Sequence, residues 1–520
     1  MADRIQSFKA ICRGGLQSSE NHLELAEELP GSATRLVNYE VSLFGGYRRI
    51  NGYEPYDDLY PEVAEGLAEG PVLGVAIFED DVTRSTLLIA IRKDIGTNTY
   101  SFYKHVPYDG WTKLTLPADV TRATTSVLGD VKKVRHETFN FGDGNKIIFV
   151  DGVNPAIVWD GADWHVLTSA GTTTHGHVHA QPHGGDQILD APSVVEVFRN
   201  HIFLSGDILD PAVVCYSAPN NAFNFTATAG AGQVTTGFEV VNIKPFRDNL
   251  FVFGKNGIKK VTADSVAGFV IDNVTNNVGC IARDSVQELG GDLVFLAPDG
   301  LRPVAGTSRI GDVELETISR PIQPILSNLS KDYDLDTLNG VVVRGKSQLR
   351  YFVGDDDVNA EDSYGIIGGL RAIDSSVGWE FGELIGIRAS CCVSGFVGRE
   401  EYILHGDYDG VVYRQEVGNS FNGSPIVAVY QTPYYDFGDT EVRKVMRTVN
   451  TFIRAEGPFS MNMAVSYDWD DPTIAKPSAY NQESYGAPVK YGNRNIAYAG
   501  PNVIYGGVEK PIIITQARLS

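Results

Sequence analysis

Cysteine and methionine are scarce in this sequence, with five Cys and four Met among 520 residues. Cys12, Cys215, Cys280, Cys391 and Cys392 are odd in number and scattered, and the adjacent pair does not suit ordinary disulfide geometry. No disulfide framework is expected; the thiols read as reduced and mostly buried. Long apolar runs are missing too. The longest, around Val72–Phe78, is strand-sized and contains Gly74, whereas a membrane-spanning helix needs about 20 apolar residues, so no membrane insertion is expected. The opening Met1-Ala2-Asp3-Arg4 mixes charges where a secretory signal would place a basic patch and an apolar core, which leads to an expectation of synthesis in the cytoplasm. Positive charge is also short. Lys+Arg 43 against Asp+Glu 65 leaves −22, which disfavours a surface that wraps nucleic acid through many phosphate contacts.

Catalytic signatures are equally sparse. The sequence has no Gly-x-x-x-x-Gly-Lys-Ser/Thr loop for phosphates, no Gly-x-Ser-x-Gly nucleophile elbow, no His-Glu-x-x-His and no Cys-x-x-Cys. Carboxylates cluster at Asp355-Asp356-Asp357 and at Asp468, Asp470 and Asp471, but with 65 acids such clusters are common, and neither continues into the spaced oxygen ligands of a calcium loop. Both read as solvated turns, with a glycosidase dyad or a cation site as the alternative. The densest chemical feature is Thr174-His-Gly-His-Val-His-Ala-Gln-Pro-His183. Alternation in an extended segment puts His175, His177 and His179 on one face, where imidazoles could ligate zinc, nickel or iron; the other reading is a Thr/Gly/Pro-rich loop whose histidines face water. No cofactor and no catalysis are expected.

What the sequence has in abundance is hairpin language: a short β-branched and aromatic run, a turn rich in Gly, Asp or Asn, and a second run. Lys146-Ile-Ile-Phe-Val150 turns at Asp151-Gly152 into Ala156–Trp159, and Leu250–Phe253 turns at Lys255-Asn256-Gly257 into Ile258–Val261. Leu293–Leu296 precedes Pro298-Asp299-Gly300, and Tyr402–His405 precedes Tyr408-Asp409-Gly410. Looser copies are His201–Leu204 with Ala212–Tyr216, and Leu349–Val353 with Tyr364–Ile367. The copies begin at Ile147, Ile202, Leu250, Leu293, Leu349 and Tyr402, 43 to 56 residues apart. Propeller blades of four strands run about 40–50 residues. The expected fold is therefore all-β, a β-propeller of about five to seven blades, with a tandem of β-sandwiches as the alternative. Helix signals are confined to Asn21–Leu29, Tyr60–Ala68 and Ser319–Leu329.

Texture changes outside the repeats, which divides the chain into 1–70, an N-terminal extension or docking segment; 71–415, the propeller; and 416–520, a small β-domain packing on the propeller or on a neighbouring subunit. In the last, Pro425–Gln431, Arg447–Ile453, Met461–Tyr467 and Lys510–Ala517 read as strands. The final one needs a partner elsewhere in the chain or in another subunit. Within the extension, Tyr47, Arg48, Arg49 and Tyr53 form a basic, aromatic patch suited to docking an acidic neighbour; the other reading is an exposed turn.

Certain phrases carry a resemblance. Pro30-Gly-Ser-Ala-Thr-Arg-Leu-Val-Asn38 followed by Gly45–Tyr53, then Asn277–Cys280, Asp284-Ser-Val286, Gly291–Leu301 and Ile318–Ile322, are similar to the propeller region of the tail nozzle (tail tubular protein B-like) and DNA-stabilisation proteins of short-tailed bacteriophages. The resemblance implies a homo-hexamer in the virion tail that docks on the tail adaptor, anchors tail fibres and lets duplex DNA pass without sequence-specific binding. It covers about two thirds of the chain, and the histidine-rich loop has no counterpart in it. The charge agrees, because walls of negative sign do not grip phosphates, although six copies would carry about −130 and repel one another. The competing reading is a receptor-binding or glycan-degrading tail protein, in which Trp111, Trp159, Trp164, Trp379 or Trp469 would stack on sugars; Trp159 and Trp164 flank Asp160-Gly161 and look instead like blade-packing residues.

Overall fold

The computed structural model describes residues 7–42, 45–56, 70–81, 84–94, 96–106, 110–118, 120–127, 129–169, 184–264, 268–304, 317–354, 363–373, 376–438, 444–453, 459–470, 478–484, 488–489, 504–505 and 513–518. Seven antiparallel meander sheets follow one another along the chain. Blade 1 is Val72–Asp80, Ser85–Lys93, Tyr100–Val106 and Gly110–Lys113, and blade 2 is Arg135–Phe139, Lys146–Val150, Ile157–Trp159 and Trp164–Val166. Blade 3 is Val194–Phe198, His201–Ser205, Val213–Tyr216 and Gly232–Thr235; blade 4 is Val240–Phe246, Asn249–Gly254, Ile258–Asp264 and Gly268–Thr275. The described part of blade 5 has three strands, Gln287–Leu289, Asp292–Ala297 and Gly300–Pro303. Blade 6 is Asn339–Val343, Gln348–Val353, Tyr364–Ile373 and Ser376–Ile385, and blade 7 starts with Cys391–Val397, Glu400–Gly406 and Val412–Gln415.

Each of the six sequence copies is the second and third strand of one blade, from blade 2 to blade 7. Their solid apolar runs have a simple cause: a blade is buried on both faces, so alternate side chains enter different cores. Ile147 and Phe149 join Phe78, Ile89 and Phe102 between blades 1 and 2, while Ile148 and Val150 join Ile202 and Leu204 between blades 2 and 3. The alternation continues round the molecule. Phe203 with Val252 fills the gap between blades 3 and 4, Phe253 with Phe295 that between 4 and 5, and Leu296 with Leu349 that between 5 and 6. Phe352 with Ile403 lies between blades 6 and 7, and Leu404 with Val75 and Leu88 between blades 7 and 1. Seven buried layers for seven blades make a closed ring, a β-propeller, and the tandem-sandwich alternative falls away.

Strands from outside residues 71–415 complete the last two sheets. Tyr53–Pro55 pairs antiparallel with Val412–Gln415 as the fourth strand of blade 7, and Ser420–Phe421 and Ser424–Pro425 extend the same sheet. In blade 6, Arg35–Val37 runs parallel to Ser376–Ile385 and antiparallel to Val429–Gln431. The short three-residue strand Tyr53–Pro55 carries Pro55 at its end, where no ladder donor is needed. Further along, Thr448–Ile453 pairs with Ile513–Arg518, so the final strand has a partner in its own chain, and Phe459–Met463 pairs with Tyr480–Ser484.

Two of the three expected helices are present. His22–Glu28 is capped by the Asn21 side chain, which accepts from the Leu23 N–H, and a 3-10 turn Arg320–Ile322 leads into helix Gln323–Asp332 with Leu326 and Leu329 buried. Tyr60–Ala68 lies outside the described residues. Among the described residues no helix is long and apolar enough to cross a membrane.

Candidate functional site

First strands of neighbouring blades stand side by side round the axis and begin at the same end, here named the entry face. The segments that lead into them converge there and bond directly across the ring. Arg135, which opens blade 2, donates through Nε and Nη2 to both carboxylate oxygens of Asp284, at 2.8 Å each, although Asp284 precedes blade 5. Lys133 reaches the same carboxylate at 3.0 Å and the Leu338 carbonyl, ahead of blade 6, at 2.5 Å. Arg283 donates to the Ser193 hydroxyl ahead of blade 3 at 2.6 Å, the Asn339 amide donates to Ala389 O at 2.9 Å, and the Ser390 hydroxyl donates to Val72 O at 2.6 Å. Bonds of this length bring side chains of blades 2 and 5 together across the axis at this level, among the described residues. The axis is plugged by side chains.

Burial and partners set the protonation of this plug. Burial works against the Asp284 carboxylate, but Arg135 and Lys133 outweigh it and hold its pKa far below the carboxylate range. Lys133 is lowered by burial, and Arg283 is brought down to about 10 by burial and by the neighbouring Arg135. Deeper along the inner strands, Lys244 pairs with Glu196, and Glu137 shares its field. Burial raises both acids, Glu196 to about 7, while burial and Lys244 lower His136 to about 4.

A second network fastens the N-terminal segment to the opposite face, where first strands end. Glu40, buried on the hairpin strand Tyr39–Val41, receives Lys346 Nζ at 2.7 and 2.8 Å and stands 3.6 Å from Arg350, which also binds Glu416. Arg350 is itself buried, donating to Gln348 and Gln415. Burial would raise the Glu416 carboxyl; Arg350 and Lys346 instead pull it down to about 2.

The expected docking residues lie at this clasp. The Tyr47 hydroxyl accepts from Gly15 N at 2.6 Å and donates to Glu380 at 3.0 Å; burial and the Glu380 charge raise its pKa. Arg48 is 3.6 Å from Glu40 and donates to Asn51, Arg49 is exposed and donates to Asn419 O, and Tyr53 is buried, stacked on Phe421 with its hydroxyl donating to Gly386 O. Burial and Asp407 push the Tyr53 hydroxyl to about 12. His175, His177, His179 and Asp355–Asp357 fall outside the described residues. Among the described residues no group of three or more His, Cys, Asp or Glu side chains is placed to hold a metal.

The tryptophans separate by burial. Trp159 and Trp164 are buried and stacked on each other between blades 1 and 2, in line with a packing role. Trp111 packs near His105, Trp379 stacks on Phe381, and Trp469 is exposed beside Tyr434 and His22. Cys215, Cys280 and Cys391 are buried, and burial lifts their thiols to about 12, 11 and 11. Sequence reasoning missed the plug entirely, because Lys133, Arg135 and Asp284 look like surface charges until the ring brings them together. No family model matches the chain, and no curated protein matches it.

Proposed function

We propose that the chain is a structural protein of a phage virion, the nozzle at the distal end of a short tail, assembled as a homo-oligomeric ring, a hexamer by the resemblance. One observation carries the reading: the propeller is closed across its own axis by the Arg135–Asp284 pair, so each copy serves as a solid wall element. The DNA channel then runs between copies, and the net charge of −22 per chain keeps those walls from gripping phosphates. In this role the clasp face docks on the adaptor through Arg48 and the exposed Arg49, fibres attach outside, and no catalysis is involved. The exposed Trp469 favours one competing role, a receptor-binding or glycan-degrading tail protein.

Negative-stain microscopy of the purified protein should show rings with a central channel. Release of oligosaccharide from host polysaccharide would contradict the structural reading. Arg48→Glu with Arg49→Glu should abolish addition of the protein to tailless capsids, and unchanged incorporation would remove the docking assignment.

A further inference from the structure

Of the five tryptophans, Trp469 is the exposed one, with 56% of its surface in solvent. It sits at the centre of turn 467–470, which is closed by a bond from Asp470 N–H to Tyr467 O at 3.0 Å. Asp468, Trp469 and Asp470 have φ of 46°, 59° and 65°, three left-handed residues in succession. Aspartate enters that region through its short polar side chain, whereas an indole gains nothing there, and Gly or Asn would make the same turn at lower cost. A tryptophan kept at such a position points to a use for its side chain.

Two rings from distant parts of the chain steady the indole. Tyr434, which follows strand Val429–Gln431, lies 5.0 Å away at 41°, and His22, the first residue of helix His22–Glu28, meets it edge-on at 5.8 Å and 74°. His22 and Tyr434 are themselves 5.8 Å apart, so the three rings are in mutual contact. The side chains of Asp468 and Asp470 are exposed on either side of Trp469. Stretches 18–28, 432–438 and 463–470, which supply the three rings, contain seven acids and no lysine or arginine. Lys444 donates to the Asp436 carbonyl oxygen, so one recorded cation stands against those seven.

Ring spacing and charge narrow the ligand. A cage for a quaternary ammonium holds its rings apart around the cation; these rings touch, so a ligand has to lie on the open side of the indole. A nucleic-acid base could stack there, but its phosphates would meet the acids, and a second copy of this chain would bring the same acids again. A pyranose ring offers an apolar C–H face to the indole and hydroxyls that donate to carboxylates. We propose that Trp469, flanked by Asp468 and Asp470, is a binding site for an uncharged glycan. The site deepens the receptor-binding reading given above for Trp469 and involves no cleavage, so the structural role does not depend on it.

A glycan array carrying uncharged, sialylated and sulfated glycans tests this with the full chain. The wild type should be retained by uncharged glycans in preference to sulfated ones. Isothermal titration with the best-retained glycan should show Trp469→Ala weakening affinity about tenfold or more, Trp469→Phe keeping part of it, and Asp468→Asn/Asp470→Asn lowering it severalfold. Bound glycan should also shield the wild-type fluorescence from acrylamide, because Trp469 is the exposed indole. Circular dichroism checks that the variants fold. Retention by no uncharged glycan, stronger retention by sulfated glycans, or wild-type affinity in Trp469→Ala overturns the inference and leaves the nozzle reading intact. Glycan that is bound and also cut, seen as new reducing ends, keeps this site and removes the catalysis-free reading instead.

Discussion

Replacing Asp284 by Asn removes the carboxylate that Arg135 and Lys133 share and keeps its shape. Lys133 has 6% of its side chain exposed, and Arg135 and Asp284 have 21% and 23%, so the cations cannot be rehydrated without opening the plug. Breaking a buried pair by removing one partner costs about 3–5 kcal/mol; the residual exposure argues for the lower end, about 3 kcal/mol. With an unfolding entropy of about 2.1 cal/mol/K per residue over roughly 390 residues, that loss lowers Tm by about 4 °C. Differential scanning calorimetry at pH 7 reads it. Lys132→Ala is the control, since Lys132 and its partners Asp334 and Asp336 are 46%, 55% and 70% exposed, and it should change Tm by less than about 1 °C. A double-mutant cycle with Arg135→Met should show strong coupling between positions 135 and 284. An Asp284→Asn protein melting within about 1 °C of wild type would refute closure of the axis by this pair.

Other outcomes follow from the same geometry. Asp151→Asn should cost about 3–5 kcal/mol, because Asp151 and Arg122 are fully buried between blades 1 and 2 and bonded at 2.9 Å; a loss under about 1 kcal/mol in urea unfolding would contradict this. His405 is buried and held neutral, its pKa lowered by burial to about 3. A lowered folded pKa means its contribution is intact above about pH 6.5 and lost as pH falls, by about 2 kcal/mol at pH 5. The Tm difference between wild type and His405→Phe should therefore shrink or invert on acidification, and a pH-independent difference would argue against a neutral histidine. Gly52→Ala places a Cβ 1.9 Å from the Ser420 carbonyl oxygen, so it should loosen the closing strand and raise proteolysis near Tyr53; an unchanged digestion pattern would count against the clasp. In the native protein Cys215, Cys280 and Cys391 should react with a thiol reagent only as fast as the propeller opens, far slower than in urea.

Blades 2 to 7 were legible because their central hairpins are apolar on both faces and turn at Gly-, Asp- or Asn-rich corners. Blade 1 escaped as a repeat. Its middle strands are nine and seven residues long and are joined by Asp94-Ile-Gly-Thr-Asn-Thr99, which lacks the Asn-Gly or Asp-Gly signal. The closing strand Tyr53-Glu-Pro55 has no alternation of its own, and its instruction lies in the backbone edge of Val412–Gln415, far away in sequence. The plug was hidden for a similar reason: Arg135 and Asp284 are 149 residues apart, and only ring closure makes them neighbours. At the clasp, the basic character of Tyr47–Tyr53 could be read, whereas Glu40, Lys346, Arg350 and Glu416 carry no local pattern that would mark them as its partners.

Because Tyr53–Pro55 is made first and its partner Val412–Gln415 some 360 residues later, a ribosome adding about 5–20 residues per second leaves that strand waiting roughly 20–70 seconds. During this interval the emerging blades have bare sheet edges and no closed circle. A prematurely terminated polypeptide never receives its final seam, so quality control can tell finished molecules from fragments by whether the two extremities of the ring have met.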